Sequence, residues 1–321
     1  MYPTLRRTRY QLNNVVQEAD TSQSLFDLAG KHKEDEKWTD AENAYLQVIT
    51  IREKEHGIDD QLLRDSYYNL GVVYHNLQRF DEAADRLELA LDGEDKAYGA
   101  GDNRSMFTAY KLGQVYKEQK KTDAATRMFL RAVGRETSFG AGDIAVRNSR
   151  FELGLIYENL GQLEDAVNVY ELTVKGEEEA VGIDHADTLI TVNRLANMYR
   201  RLERFNDAER SYTRILDARQ KTLGPNHKRV LDTYYNLGLV YKDSKNYVAA
   251  GINFSKAMTG CETTLGANDP ETLDAMDEAA GVLVLDSKYK GAADLYRTIL
   301  QRRRESLGSD HADTKESEHK L

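Results

Sequence analysis

Histidine, cysteine and carboxylate side chains are where catalytic or metal chemistry would have to begin. Of the seven histidines, His185, His227 and His311 stand at one corresponding point of a repeated segment. Other copies of the segment carry Asp60, Asp102, Asp143 and Asp269 at that point. A short acceptor side chain just ahead of a helix satisfies its free N–H groups, so this column suits helix capping better than metal ligation. Neither HExxH nor CxxC spacing occurs, and these are the local patterns that a zinc site would show. Two glycine-rich stretches, Tyr98–Asp102 and Phe139–Asp143, lack the preceding strand and the phased third glycine that a phosphate loop needs. The one cysteine, Cys261, excludes an internal disulfide and fits a reducing, cytoplasmic setting. The expectation is a non-catalytic protein with no cofactor. An enzyme whose groove draws residues from distant repeats is the remote alternative.

The elements that position these residues are repeated. Alanine returns at Ala41, Ala83, Ala125, Ala166, Ala208, Ala250 and Ala292, at intervals of 42 residues with one of 41. Twelve residues before each lies another small residue: Ala29, Gly71, Gly113, Gly154, Ala196, Gly238 and Ala280. A glycine ladder shares the phase: Gly57, Gly99, Gly140, Gly182, Gly224, Gly266 and Gly308. Periods of this length mark stacked supersecondary units rather than one globular core.

Within one unit, Tyr67, Leu70, Gly71 and Tyr74 fall on one helical face. A second helix opens at Phe80, carries Ala83, Leu87, Ala90 and Leu91 as its apolar stripe, and stops near Gly99. A residue tolerant of positive φ belongs there. The next helix starts behind Asp102 or Asn103. Gly71 and Ala83 remove bulk where the two helices cross. Each pair buries its stripe only by stacking on a neighbour. In the third unit the phase slips by one residue between Val133 and Gly140. Its second helix is therefore expected to end a residue early, with Gly134 in its last turns.

A small residue followed by tyrosine three positions on, then an aromatic opening the second helix ahead of alanine, resembles the tetratricopeptide repeat. Its 42-residue period, with glycine followed by stretches such as Val181–Leu189 and Leu307–Thr314, resembles kinesin light chains and the arrays of fungal NTPase-type receptors. The resemblance implies an all-α, right-handed superhelical solenoid of seven antiparallel helix pairs. The divisions expected are a basic lead-in at 1–20, and repeats at about 21–60, 61–102, 103–143, 144–185, 186–227, 228–269 and 270–308. Residues 309–321 are expected to be a polar tail or a clipped eighth repeat. The sequence departs from the light chains in showing no heptad region, and from the receptors in showing no P-loop.

On the first helix of each unit, the residues three before, one after and four after the small residue make a second stripe, about 130° from the packing face. The resemblance places this stripe on a concave surface. Its first column reads Phe26, Tyr68, Tyr110, Phe151, Asn193, Tyr235 and Asp277; its last reads Lys33, His75, Lys117, Glu158, Arg200, Lys242 and Val284. The candidate peptide-binding residues are Tyr68, Asn76, Tyr110, Lys117, Phe151, Asn159, Asn193, Asn197, Arg200, Tyr235 and Lys242. Two readings stand side by side. The aromatics either pack on neighbouring helices or supply contact area, and the cations either balance nearby Glu34, Glu118 and Asp243 or attract a ligand. The second reading gives a scaffold or cargo adaptor for a partner peptide with acidic and aromatic side chains. The alternative is a detached sensor array of an NTPase-type receptor. The net charge of −10 argues against nucleic acid. The lack of a long apolar stretch argues against membrane insertion.

Overall fold

The computed structural model describes residues 21–55, 60–134 and 143–321. The basic lead-in, Gly57, Gly140 and most of the Phe139–Asp143 stretch lie outside the described residues. Fifteen helices are described. They are α1 (residues 21–34), α2 (Trp38–Glu55), α3 (Gln61–Asn76), α4 (Phe80–Tyr98), α5 (Asn103–Glu118), α6 (Thr122–Val133), α7 (Ile144–Asn159) and α8 (Leu163–Ala180), followed by α9 (Ala186–Arg201), α10 (Phe205–Leu223), α11 (Lys228–Asp243), α12 (Tyr247–Leu265), α13 (Pro270–Leu285), α14 (Tyr289–Leu307) and α15 (Ala312–His319). No strand occurs among the described residues. The expectation of an all-α array holds.

The described residues form two compact units, divided between Ile156 and Tyr157. In the first, consecutive helices pack on each other from the α2–α3 pair through the α5–α6 pair; in the second, from α8–α9 through α14–α15. The small-residue ladder accounts for the close crossing. A Cβ at Gly71 would lie 2.7 Å from Leu87 Cγ, and one at Gly113 would lie 2.7 Å from the Phe129 ring. Ala41, Ala83, Ala125, Ala166, Ala208 and Ala250 are fully buried opposite them. Helix α4 ends at Gly99, whose φ of 87° is open to glycine and costly for other residues.

The turn inside each pair carries a left-handed residue at one fixed place: Glu36, Gln78, Lys120, Gly161, Glu203, Lys245 and Ser287. Flanking backbone bonds hold it, as where Gln78 N donates to His75 O and Arg79 N to Tyr74 O. Five of these seven residues, all but Gly161 and Ser287, are not turn-formers, so residue type does not mark the position.

The third unit differs from expectation. Helix α6 has 12 residues where other second helices have 18 or 19. It ends at Val133, so Gly134 caps the helix instead of lying in its last turns, with φ −61° and ψ 0°. Glycine is a poor helix former, and it stops the helix at the point where the phase slips.

Candidate functional site

The histidine column caps helices. Nδ1 of His185, His227 and His311 accepts from the backbone N–H of Asp187, Arg229 and Asp313 at 3.2, 3.2 and 3.3 Å. Asp60, Asp102, Asp143 and Asp269 do the same for α3, α5, α7 and α13. Among the described residues no group of three or more His, Cys, Asp or Glu side chains could hold a metal ion.

The first-column aromatics face the second helix of their own pair. Phe26 lies 5.6 Å from Tyr45, Tyr110 6.2 Å from Phe129, and Tyr235 5.5 Å from Phe254, ring centre to ring centre. Tyr110 is buried and Tyr68, Phe151 and Tyr235 are half-buried. Tyr68 also meets Phe107 at 6.1 Å. Phe107 was not among the expected site residues, although it is exposed and lies beside this column.

The cationic column meets the next repeat. The side chain four residues after one small residue faces the side chain two residues before the following one. Lys33 Nζ donates to Asn69 Oδ1 at 2.6 Å. Lys117 pairs with Glu152 at 2.8 Å and Lys242 with Glu278 at 2.6 Å. At Glu158 and Arg194 the same pair occurs with its charges exchanged, at 3.5 Å. His75 has Lys111 as its counterpart, and its pKa is lowered first by burial and then by that charge. Arg200 turns instead to Asp243, at 2.9 Å. Of the candidate asparagines, Asn76 and Asn159 are exposed, while Asn193 and Asn197 are half-buried on α9. Asn76 Nδ2 donates back to Val72 O at 2.8 Å. The fold thus brings together Tyr68 and the neighbouring Phe107, but sets Lys117, Arg200 and Lys242 in separate ion pairs.

A second contact between repeats went unnoticed in the sequence. A polar side chain near the end of a second helix meets a hydroxyl fourteen residues on. Glu94 accepts from Thr108 and Glu177 from Thr191, both at 3.1 Å. Arg219 donates to Thr233 at 3.0 Å and Arg303 to Ser317 at 2.8 Å. The last of these docks α15 on α14 with the same chemistry that joins whole repeats. The signal was a charged residue in an otherwise apolar stripe, eleven positions after every ladder alanine but Ala250, which has Cys261 there.

In the first unit a cavity of about 500 Å³ opens beside this contact, lined by Asp65, Tyr68, Glu94, Arg104, Phe107 and Asp143 among others. Glu94 is only 4% exposed. Its Oε1 takes the Thr108 hydroxyl, while Oε2 has no hydrogen-bond partner among the described residues. Burial pushes its pKa up to about 7, with neighbouring Asp65 adding to the rise. Burial also raises the pKa of Asp65. In the second unit the equivalent place holds a smaller cavity of about 220 Å³, lined by Asp232, Tyr235, Cys261 and Asp274.

This pairing of helices, the small-residue crossings and the repeat spacing coincide with a known pattern. The tetratricopeptide repeat pattern matches residues 20–93, 63–135, 141–221, 187–250 and 229–305. The chain belongs to the tetratricopeptide repeat family. No curated protein matches it in sequence. A protein of Cytophaga hutchinsonii, the C-terminal part of a TPR repeat-containing protein, shares 14% identity at a TM-score of 0.64, over 91% of this chain and 98% of its own. A kinesin light chain-type protein of Podosopora anserina with nearly identical TPR-like repeats shares 18% at 0.54, over 62% of this chain and 95% of its own. A STAND protein of Pyrococcus horikoshii with a tetratricopeptide repeat sensor shares 16% at 0.59, over 90% of this chain and 43% of its own. At these identities the likeness is one of fold. Tetratricopeptide arrays serve in general as protein-interaction scaffolds. Among the described residues no helix is long and apolar enough to cross a membrane.

Proposed function

We propose that this tetratricopeptide array is a non-catalytic, cytoplasmic scaffold of the cargo-adaptor kind. It holds a peptide segment of a partner protein on the faces of its first helices. The observation that carries this reading is the open cavity in the first unit, where Tyr68 and Phe107 offer aromatic surface beside hydrogen-bonding groups. Aromatic side chains supply large contact area at low entropic cost and are enriched at interface centres. Asn76 in the first unit, and Asn193 and Asn197 in the second, add groups able to bond a peptide backbone.

The cations of the stripe shape what the partner can be. Lys117, Arg200 and Lys242 each already hold a carboxylate. An acidic partner residue binds there by displacing that carboxylate, an exchange that yields little net energy at an exposed site. Aromatic contacts therefore supply most of the affinity, and charge sets register and rate.

The test is selection of peptides from a displayed library on the full-length chain, followed by titration of the best sequence. Tyr68→Ala is expected to weaken it at least fivefold with helical content unchanged. Selection of no sequence, or equal binding by the variant, would remove the first-unit face from the account.

A further inference from the structure

The first-unit cavity has a chemistry that the charge columns do not share. Three carboxylates line it, from Asp65, Glu94 and Asp143, against one cation, Arg104. Asp143 is committed to capping α7, accepting from Ala145 N at 2.9 Å and Val146 N at 3.2 Å. Arg104 is exposed and lies over the Tyr98 ring, 4.6 Å from its centre. That leaves Asp65 and Glu94 as the acceptors facing the space, with Tyr68 and Phe107 as its aromatic walls.

Glu94 points to a ligand by what it lacks. A carboxyl oxygen buried without a partner has lost its hydration with nothing in return, which is unfavourable. The equivalent position is arginine or cysteine in four other repeats (Arg52, Arg219, Cys261, Arg303) and glutamate in two, so the stack accepts an acid there without requiring one. The neighbouring oxygen already takes the Thr108 hydroxyl, so the contact between repeats is complete without Oε2. Oε2 accepts from a donor brought in from outside. A donor carrying positive charge is favoured by Asp65 beside it. A planar cation is favoured over a compact one by the aromatic walls, because guanidinium stacks on rings and forks its donors to carboxylates.

We propose that this cavity binds the guanidinium group of an arginine side chain in a partner peptide, seated between Tyr68 and Phe107 and hydrogen-bonded by Glu94 and Asp65. The source of the arginine rests on the scaffold reading above; the guanidinium assignment does not. Binding fixes Glu94 in its ionised form and so releases protons near neutral pH. The groups facing Glu94 are Asp65 and Tyr68 from α3, Thr108 and Arg104 from α5, and Asp95 beside it on α4. Of these, Asp65 also has a raised pKa, and it shifts the dependence in the same direction. Affinity therefore rises with pH.

The probe is a capped nonapeptide with one central arginine flanked by alanine and serine, titrated into the full chain labelled at its methionine methyl groups. Met106 lines the cavity and reports binding, while Met198 in the second unit serves as the control. The peptide is expected to move the Met106 resonance and leave Met198 in place. Its citrulline counterpart should move neither resonance. Glu94→Gln, which keeps an acceptor for Thr108, should weaken binding at least tenfold, and Asp65→Asn severalfold. For the unaltered protein, affinity should rise roughly tenfold from pH 6 to pH 8, following the ionised fraction of Glu94. Calorimetry in two buffers of different ionisation heat should show proton release at pH 7. If the citrulline peptide binds equally, or if no proton is released, the guanidinium assignment is overturned whether or not the variants fold. If ethylguanidinium alone binds as tightly as the peptide, the assignment stands and the scaffold reading fails at this cavity. If neither probe moves Met106, the assignment is overturned and the scaffold reading is untouched.

Discussion

Lys117 Nζ lies 2.8 Å from Glu152 Oε2, and one repeat later Glu158 and Arg194 make the same contact with their charges exchanged. The array therefore accepts either polarity at this joint, and where both partners are charged and close they carry opposite signs. Lys117→Glu should destabilise the protein by about 0.2–1 kcal/mol, since the pair is partly exposed. Adding Glu152→Lys should restore most of the loss. Thermal melts of the two single variants and the swap measure this, and a swap less stable than both singles would show that the pair is not the joint.

The crossing glycines should be intolerant of even one methyl group. Gly113→Ala puts a Cβ 2.7 Å from the Phe129 ring. Overpacking of this kind costs about 1–3 kcal/mol. Gly134→Ala should have the opposite sign. Its φ is −61°, which alanine adopts. A new Cβ would meet Leu130 O at 3.3 Å, a tight contact that the helix end must relieve by a few tenths of an ångström. With that relief, restricting the unfolded chain stabilises the protein by up to about 1 kcal/mol. Denaturant midpoints compare the two directly.

His227 acts as an acceptor at the start of α11, and aspartate does the same work at four other helices. His227→Asp should preserve stability, while His227→Ala should cost about 1 kcal/mol. Hydrogen exchange at Arg229 should report it: faster exchange in the alanine variant alone is the expected result, and equal exchange in both variants would contradict the capping role.

The buried Glu94 gives a pH signature. Its folded-state pKa is raised to about 7 by burial, above that of the unfolded chain, so the native state binds the extra proton between the two values. Its contribution to stability is fully present below the unfolded pKa and is lost as pH rises through the folded value. Glu94→Gln, which stays neutral, should lack this loss. The stability difference between variant and parent should then grow in the variant's favour from pH 5 to pH 7 and level off above pH 8. A difference independent of pH would mean that Glu94 is ionised throughout.

The repeat, the helix pairs and the caps were legible because each left a ladder in the sequence: Gly71 and Ala83 for the crossings, Gly99 for the helix ends, Asp102 and His227 for the starts. The left-handed turn residues were not, because Gln78 and Lys120 are held there by backbone bonds rather than by their own preference. The first-column aromatics were legible as a column, but their direction was not. Tyr110 and Phe129 meet across a pair, and only the packing of the two helices shows it. The cavity was missed because it joins a first-helix stripe to Glu94, a second-helix residue. Periodicity within one helix cannot reveal that neighbour.

The most direct test of the scaffold reading compares two faces of the first unit with a peptide selected on the full chain. One variant carries Tyr68→Ala with the Lys117→Glu and Glu152→Lys swap, which alters the first-helix face yet keeps the ion pair that joins the repeats. The other carries Arg86→Glu and Arg127→Glu, on the second helices α4 and α6. The expected result is a loss of affinity of roughly tenfold or more in the first variant and little change in the second, with equal helical content. Loss in the second variant with full binding in the first would place the partner on the second helices and contradict the account.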